Sequence, residues 1–155
     1  MKRIAVFSDT HGTLFRLPEA LAAAGEVDAF LHLGDYGSDA VRIAESLPVP
    51  YYMVRGNCDY DVSLPKYRIV EFESAAIAIV HGDAYRSTHE LARFAEEHHC
   101  QAVLFGHTHT PLVAAQGPIL IVNPGSLSLP RMGSTTSFAI LSVEGRDVNV
   151  KIIPL

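Results

Sequence analysis

The chain has 155 residues, of which 48% are hydrophobic and 19% are charged, and its formal net charge is -5 with histidine neutral. This length and composition predict a single globular domain over residues 1–155, large enough to bury a sizeable core. The negative charge argues against a surface that follows nucleic-acid phosphates, so we expect no nucleic-acid polymer as partner. A metal site could still bind a phosphate ester.

Neither a membrane span nor a signal peptide is expected. No apolar run approaches the ~18 residues that a bilayer-crossing helix needs. The first apolar stretch, "IAVF", is short, and Asp9 and His11 follow it at once, which disfavours a signal peptide. The two cysteines, Cys58 and Cys100, make no disulfide framework, so we expect reduced thiols and a cytoplasmic location.

The first half of the chain alternates strand-like and helix-like segments. Buried strands are predicted at 3–7, 28–33 and 50–55, and helices at 17–25 and 38–47. Pro18 near its start and Gly25 at its end mark the first helix, and Ser38 is the candidate N-cap of the second. This β-α-β-α-β order predicts a mostly parallel sheet with right-handed crossovers.

The second half contains more strands than helices. A hairpin is predicted from strands 67–74 and 76–80, followed by a helix at 88–99 and a strand at 102–105. The tail has short strand-like runs, "LVAAQ", "ILIVN", "TSFAILSVEG" and "RDVNVKIIP", with Gly145 at the turn of the last hairpin. The whole pattern predicts an α/β fold with two packed sheets and helices outside.

Polar side chains follow five of the predicted strands, at the point where each strand ends. They are Asp9 and His11, Asp35, Asn57 with Cys58, His81, and His107 with His109. Ligands of open α/β sheets bind outside the carboxyl ends of the strands, so these side chains are expected to meet. Within "GHTH" (106–109) the two histidines point the same way if the chain is extended.

Two Asp, one Asn and four His of this set can bind metal, which is more than one ion takes. A structural zinc closes with four ligands, usually including Cys. Seven donors suit two ions about 3.5–4 Å apart that share a carboxylate and clamp the oxygens of an in-line displacement. Mixed imidazole and carboxylate ligands favour Mn, Fe, Zn, Co or Ni over Mg or Ca, and manganese is our first choice.

Each of these residues also has a purely structural explanation when taken alone. Asp9 with His11 could be a cap-and-turn pair, and His81 a buried histidine with satisfied hydrogen bonds. Asp35 and Asn57 could be ordinary turn residues. The "GHTH" pair is harder to explain in this way, because burying two unliganded imidazoles on one face is costly.

The motif set resembles the calcineurin-like metallophosphoesterase superfamily, whose pattern is DxH, GD, GN, H and GHxH, each after a strand. Here the motifs are "DTH" (9–11), "GD" (34–35), "GN" (56–57), "HG" (81–82) and "GHTH" (106–109). In its short length and its "GNCD" motif the chain resembles members of the compact YfcE-type branch. A retromer subunit of the same fold also belongs to that branch. "NPGS" followed by "PR" is similar to that branch too.

The resemblance implies a four-layer α/β sandwich with a two-metal site, in which a metal-bridging hydroxide would attack phosphorus. The implied ligands are, for the first ion, Asp9, His11 and His109; for the second, Asn57, His81 and His107; and, as the bridge between them, Asp35. We also count Asn57 and His107 among the catalytic residues.

One position departs from the family pattern. Larger members carry a histidine after the GN asparagine, thought to protonate the leaving oxygen, and Cys58 stands there in this chain. A thiol with a pKa near ~8.5 could donate a proton, but it is a weak hydrogen-bond donor. We therefore expect a preference for esters with good leaving groups, or a proton that comes from water or the substrate.

Other polar residues are candidates for supporting roles. Arg131 is the candidate cation for the substrate phosphate, with an ordinary surface arginine as the alternative. Asn123 could face the substrate, although "NPG" is first of all a turn. Asp59 and Asp83 could orient ligand histidines or serve turns. His32, inside a strand, fits a core or supporting histidine better than a ligand.

The sequence therefore predicts a phosphodiesterase that uses two divalent metal ions to hydrolyse small soluble phosphodiesters. A phosphomonoesterase is the nearest alternative, because a metal clamp does not exclude monoesters. A non-catalytic scaffold with a vestigial site, like the retromer subunit, is the alternative from another class. The oligomeric state stays open, including a homo-oligomer formed through the tail strands.

Overall fold

The computed structural model describes residues 1–155 and contains ten strands and three helices. None of the three helices combines the length and the hydropathy needed to cross a bilayer. In chain order the elements are β1 (Lys2–Phe7), α1 (Leu17–Ala24), β2 (Ala29–His32), α2 (Gly37–Ser46), β3 (Tyr51–Met53), β4 (Tyr67–Phe72), β5 (Ala75–Val80), α3 (Thr88–Glu97), β6 (Ala102–Leu104), β7 (Leu112–Gln116), β8 (Ile119–Asn123), β9 (Ser137–Glu144) and β10 (Asp147–Pro154).

The strands form two mixed five-stranded sheets. The first has the order β10-β9-β1-β2-β3 and the second β4-β5-β6-β8-β7. In each sheet the centre is parallel, β1 with β2 and β3 in the first and β5 with β6 and β8 in the second. Antiparallel hairpins from the second half of the chain extend both sheets. The predicted hairpin of β4 and β5 and the last hairpin around Gly145 are both confirmed.

The two sheets pack face to face through apolar side chains that project from every second residue of their strands. Ile4 and Val6 of β1 join Ile77 and Ile79 of β5 in one fully buried cluster between the sheets. Successive strand residues point to opposite faces, so the intervening residues line the outer faces. Burial on both faces explains why these strands are almost continuously apolar.

Helices cover the outer face of each sheet. Phe7 of β1 and Phe30 of β2 pack with Leu17 and Ala20 of α1 and with α2 on the first sheet. On the second sheet, α3 contributes its own buried apolar residues, Leu91, Ala92 and Ala95. The layers are therefore helix, sheet, sheet and helix, which confirms the four-layer α/β sandwich.

The start of α2 differs from the sequence-based expectation. Ser38 is not its N-cap; the helix begins at Gly37, and Tyr36 stands at the cap with a left-handed φ of 66° and no side-chain cap. The backbone N–H of Gly37 is instead satisfied by Oδ1 of Asp59, at 2.7 Å. A carboxylate from the loop after β3 thus replaces the local cap, because anions stabilise a helix N-terminus.

Candidate metal centre

The loops after β1, β2, β3, β5 and β6 bring the seven predicted side chains to one edge of the sandwich. The parallel strands of each sheet direct their carboxyl ends to this edge, as parallel α/β sheets do at ligand sites. Asp9, Asp35, His81 and His109 are buried there, His11 and His107 are half-buried, and Asn57 is exposed.

Four of these residues surround a common point: Asp9, His11, Asp35 and His109, whose ligand atoms all lie within 4.8 Å of one another. Nε2 of His109 is 3.3 Å from Oδ1 of Asp9, and Nε2 of His11 is 3.3 Å from Oδ2 of Asp35. The two Nε2 atoms are themselves 3.3 Å apart. Imidazole nitrogens and carboxylate oxygens converging in this way are suited to one cation.

A second group forms around the side-chain oxygen of Asn57. This oxygen lies 2.9 Å from Nε2 of His81 and 3.2 Å from Nδ1 of His107. His81 Nε2 is also 3.4 Å from Oδ1 of Asp35. Asp35 therefore stands between the two groups, with one carboxylate oxygen facing His11 and the other facing His81.

Backbone carbonyls fix the protonation of two of the histidine rings. Nδ1 of His81 lies 2.8 Å from the Leu33 carbonyl, and Nδ1 of His109 lies 2.7 Å from the Leu129 carbonyl. A carbonyl only accepts, so each Nδ1 carries the proton and donates it. In the neutral ring Nε2 then presents its lone pair to the site, which is the form that binds metal.

The loops that present these side chains have a strained backbone. Five of the seven residues have a left-handed φ, between 47° and 67°: Asp9, His11, Asp35, His107 and His109. Non-glycine residues adopt this region rarely and at a cost, and such residues concentrate at functional sites. The cost is offset by the hydrogen bonds that hold the loops.

Asp59 holds two of these loops together. Its carboxylate accepts hydrogen bonds from the backbone N–H groups of Asp35, Gly37 and Gly56, at 3.0, 2.7 and 2.7 Å. Of its two expected roles, positioning a turn or orienting a histidine, the contacts support the first. Asp83 is exposed.

Gly106 is needed where the loop after β6 meets the loop after β1. A Cβ on Gly106 would collide with Oγ of Ser8 and would lie 2.6 Å from Oδ2 of Asp9. Only glycine lets the two loops approach this closely. The backbone N–H of His107 can then donate to Oδ2 of Asp9 at 2.9 Å.

The buried carboxylate of Asp9 tests whether these residues fit a metal ion. Its Oδ2 accepts hydrogen bonds from Ser8 Oγ and from the His107 N–H, at 2.6 and 2.9 Å. Its Oδ1 is buried and has no hydrogen-bond partner, and the neighbouring Nε2 of His109 carries a lone pair in the neutral ring. A cation between these two atoms would remove the cost of an unpaired buried oxygen. The residues present therefore fit a metal ion.

The pKa shifts agree with an excess of negative potential at this point. The Asp9 carboxylate raises the pKa of His109. Burial opposes a charge on His81, but the contact with Asp35 and the charge of Asp9 outweigh it and raise the pKa of His81. Burial likewise opposes the charge on Asp35, yet its contacts with His81 and the Cys58 N–H lower the pKa of its carboxyl group. Negative charge is thus retained where a cation would bind.

Cys58 lies at the rim of this centre. Its thiol is exposed, and its backbone N–H donates to Oδ1 of Asp35 at 2.9 Å. Burial of its surroundings and the charge of Asp35 raise the pKa of the thiol. Cys58 therefore keeps its proton at neutral pH.

The two expected substrate contacts have different surroundings. Arg131 is exposed, and its backbone N–H donates to the His109 carbonyl at 3.2 Å, so its side chain begins beside the site. Asn123 is fully buried, and its amide donates to the Gly106 carbonyl at 2.9 Å and to Thr108 Oγ1 at 3.0 Å. Its amide thus supports the "GHTH" loop, and its complete burial favours this supporting role over the expected contact with substrate.

Three further residues support the loop after β1, and of these only Asp39 has no signal in the sequence. Ser126 Oγ donates to the Asp9 carbonyl at 2.8 Å, and Asp39 Oδ2 accepts from the Gly12 N–H at 2.7 Å. His32, expected as a core or supporting histidine, is fully buried, with Nε2 3.0 Å from Thr10 Oγ1. Burial lowers the pKa of His32. These contacts fix the loop after β1 from behind.

Comparison with known proteins identifies the class. Residues 1–146 match the calcineurin-like phosphoesterase superfamily domain. The chain is 31% identical over 157 residues to a probable metallophosphoesterase of Methanothermobacter thermautotrophicus, covering 97% of this chain and 91% of the relative. It is 27% identical over 166 residues to the phosphodiesterase YfcE of Escherichia coli K12, covering 91% and 88%. The chain belongs to the calcineurin-like phosphoesterase superfamily.

Solved structures agree with this assignment. The crystal structure of a predicted phosphoesterase from Streptococcus pneumoniae superposes with a TM-score of 0.80 at 28% identity, covering 99% of this chain and 89% of that one. Vps29 of Chaetomium thermophilum superposes with a TM-score of 0.81 at 20% identity, covering 99% and 97%, and shows the same fold. The family and the Asp–His cluster together support a metal-dependent phosphoesterase.

Proposed function

We propose that the protein is a phosphodiesterase that uses two divalent metal ions to hydrolyse small phosphodiesters. The observation that carries the proposal is the placement of Asp35, whose two carboxylate oxygens lie 3.3 Å from His11 Nε2 and 3.4 Å from His81 Nε2. One carboxylate shared between two sets of ligands is the arrangement that a two-ion site requires. The relationship to YfcE supports the choice of diesters.

The ligands divide between the two proposed ions as follows: Asp9, His11 and His109 for the first, Asn57, His81 and His107 for the second, and Asp35 for both. The ligand atoms of the first set and of the shared Asp35 all lie within 4.8 Å of one another. In the second set, Asn57 supplies a neutral oxygen that contacts both histidines. Bound divalent ions supply Lewis acidity and lower the pKa of water toward neutrality. Manganese is the ion we propose first, and this mixture of imidazole and carboxylate suits Fe, Zn, Co or Ni as well.

Contacts around this centre position the ligands and supply groups for the substrate. Asp9, Asp35, His81 and His109 would hold their positions through the backbone contacts described above, so little reorganisation of these ligands is needed when substrate arrives. Arg131 is proposed as a flexible cation that reaches the phosphoryl oxygens from beside His109. Cys58, whose backbone N–H donates to Asp35, is proposed as the residue beside the leaving oxygen, where its thiol would be only a weak donor.

Two other functions are alternatives to the proposed phosphodiesterase. A phosphomonoesterase would use the same ligands, so only the substrate distinguishes it. A scaffold without catalysis is favoured by the fold shared with Vps29, but in this chain every predicted ligand position holds a metal-competent side chain. We place the protein in the cytoplasm, since Cys58 and Cys100 are both free thiols.

The test is hydrolysis of bis-p-nitrophenyl phosphate beside p-nitrophenyl phosphate. Protein stripped with a chelator should be inactive, and Mn²⁺ should restore cleavage of the diester in preference to the monoester. His107→Ala should lose at least about a hundredfold in rate. His89→Ala is the matched control, because His89 is an exposed histidine of α3 whose ring contacts Gln116.

Elemental analysis of the reloaded protein gives the number of ions. Two ions per chain support the dinuclear proposal, and a single ion retained at saturating metal would contradict it. A folded protein that hydrolyses neither ester with Mn²⁺, Fe²⁺, Zn²⁺, Co²⁺ or Ni²⁺ would leave the scaffold as the function.

A further inference from the structure

A cavity of about 490 Å³ opens directly beside the second ligand group. Asn57 and His81 form part of its wall, so a group bound in it would lie beside the second set of ligands. The volume lies in the range of small-molecule sites, which is roughly 300–1,000 Å³. A phosphodiester carries two substituents, and this cavity is positioned to receive one of them.

One part of the cavity wall is positively charged. Arg55 and Lys66 both line it. The backbone N–H of Arg55 donates to the Pro65 carbonyl at 2.7 Å, which keeps the chain at Arg55 beside the chain at Lys66. The Lys66 ammonium takes part in no ion pair or hydrogen bond, and the Arg55 side chain makes only a 3.4 Å contact from Nε to the Asp59 carbonyl. Lys66 is thus free to bind a ligand, and Arg55 has no carboxylate within ion-pair distance, although its charge acts on nearby Asp61.

Asp83 also lines the cavity and offsets one of these charges. With two cations and one carboxylate, the wall keeps a surplus of one positive charge in a chain whose formal net charge is -5. A positive wall in an acidic protein concentrates anions locally. The charge therefore favours an anionic substituent over a cationic one.

The other part of the wall is aromatic. Tyr67, Tyr85 and Phe94 line it, with ring centroids 5.2 Å apart for Tyr67 and Phe94 and 5.7 Å apart for Tyr85 and Phe94. Tyr67 is 48% exposed, and of the other two rings it packs only against Phe94. Aromatic rings of this kind stack on planar ligand groups.

We propose that this cavity binds one substituent of the diester and selects substituents that combine an aromatic ring with a second anionic group, as a nucleoside phosphate does. The ring would stack on Tyr67, the exposed ring of the three, and the anion would be bound by Lys66 and Arg55. The inference rests on the proposed phosphodiesterase function and narrows its substrate class. A quaternary ammonium is the competing occupant, because aromatic rings also bind such cations.

Three p-nitrophenyl diesters with the same leaving group test the selection. They are thymidine 5′-(p-nitrophenyl phosphate), its 3′-phosphorylated analogue and p-nitrophenyl phosphorylcholine. The 3′-phosphorylated ester should have a KM about tenfold below that of the plain thymidine ester, the gain expected from one charge-assisted hydrogen bond at a partly exposed site. The choline ester should be the poorest of the three.

Charge reversal at Lys66 supplies the matched comparison. Lys66→Glu should abolish the advantage of the 3′-phosphorylated ester and improve the choline ester relative to the plain thymidine ester. Lys151→Glu makes the same charge change on the exposed part of β10 and should leave the ranking intact. Tyr67→Leu keeps an apolar contact but removes the ring, and should raise the KM of both thymidine esters.

A binding measurement separates this inference from the proposed function. Thymidine 3′-phosphate titrated into chelator-treated wild-type protein should bind more tightly than thymidine, and Lys66→Glu should remove the difference. If no diester is hydrolysed under any metal, the proposed function fails, whereas the titration still decides the cavity. Hydrolysis of bis-p-nitrophenyl phosphate with no preference for the extra phosphate, or a preference for choline, would overturn the inference.

Discussion

Oδ1 of Asp9 lies 3.3 Å from Nε2 of His109, across the loops that follow β1 and β6. The oxygen is buried without a hydrogen-bond partner, and Nδ1 of His109 is already committed to the Leu129 carbonyl. Two electron-rich atoms therefore face each other over a point that suits a cation. This relationship determines how the stability of the protein should respond to metal.

Asp9→Asn should reduce the stabilisation by metal. Wild-type protein should gain about 2.7 kcal/mol when the free ion is at roughly a hundred times its Kd, or about 5–11 °C in Tm for a chain of this size. In Asp9→Asn the gain should be clearly smaller, because an amide is a weaker ligand than a carboxylate and only the first of the two ligand sets is altered. The measurement is Tm with and without Mn²⁺ by circular dichroism.

The metal-free Asp9→Asn protein is the internal control. Replacing an unpaired buried carboxylate by an amide removes a desolvated charge, so its Tm should equal or exceed that of metal-free wild type. An undiminished metal-induced rise in Tm would contradict the assignment of Asp9 as a ligand.

Asp59→Ala should destabilise the protein and weaken metal binding without removing a ligand. Three backbone N–H groups, of Asp35, Gly37 and Gly56, lose their acceptor, at about 1–3 kcal/mol for each buried group left unsatisfied. We expect a loss of about 3 kcal/mol or more in the free energy of unfolding and roughly a 10–100-fold weaker metal affinity. Denaturant melts and metal titrations measure the two effects.

Asp61→Ala is the comparison for Asp59→Ala. Asp61 is an exposed carboxylate of the same loop and accepts hydrogen bonds only from Ser63. Its removal should change stability by less than about 0.5 kcal/mol. Equal effects of the two substitutions would show that Asp59 does not connect the loops.

Asn123→Ala should lower kcat and leave KM nearly unchanged. Its amide holds the "GHTH" loop through Gly106 and Thr108, so its loss should misplace His107 and His109 rather than remove a contact with substrate. Groups that orient metal ligands are worth about 10–100-fold in activity. Steady-state kinetics on bis-p-nitrophenyl phosphate distinguish the two roles. A raised KM with unchanged kcat would identify Asn123 as a substrate contact.

Cys58→His should accelerate hydrolysis of esters with poor leaving groups. A general acid is worth about 10²–10⁴-fold when the leaving oxygen needs a proton, and an imidazole is a better hydrogen-bond donor than a thiol. The rate should therefore depend less steeply on leaving-group pKa across a series of aryl diesters. Cys58→Ser is the control for size, and an unchanged slope in Cys58→His would refute the account.

The strand ends were the most predictable part of the fold and of the candidate site. Apolar runs such as 3–7 and 102–105 correspond to β1 and β6 within two residues, because strands buried on both faces leave a continuous apolar signal. The polar residue after each run then locates a loop. The start of α2 was not predictable from Ser38, because its N-terminal partner is Asp59, which lies in another loop.

By itself, the sequence determined the order of the elements and the chemical types at the strand ends, since local apolar patterning and residue identity are local properties. Only the tertiary structure decided which oxygen of Asp35 faces which histidine, why Asn123 is inaccessible, and that Arg55 and Lys66 share a cavity with three aromatic rings. These relationships join segments distant along the chain. They arise when two sheets pack and bring separate loops to one edge, which no local pattern records.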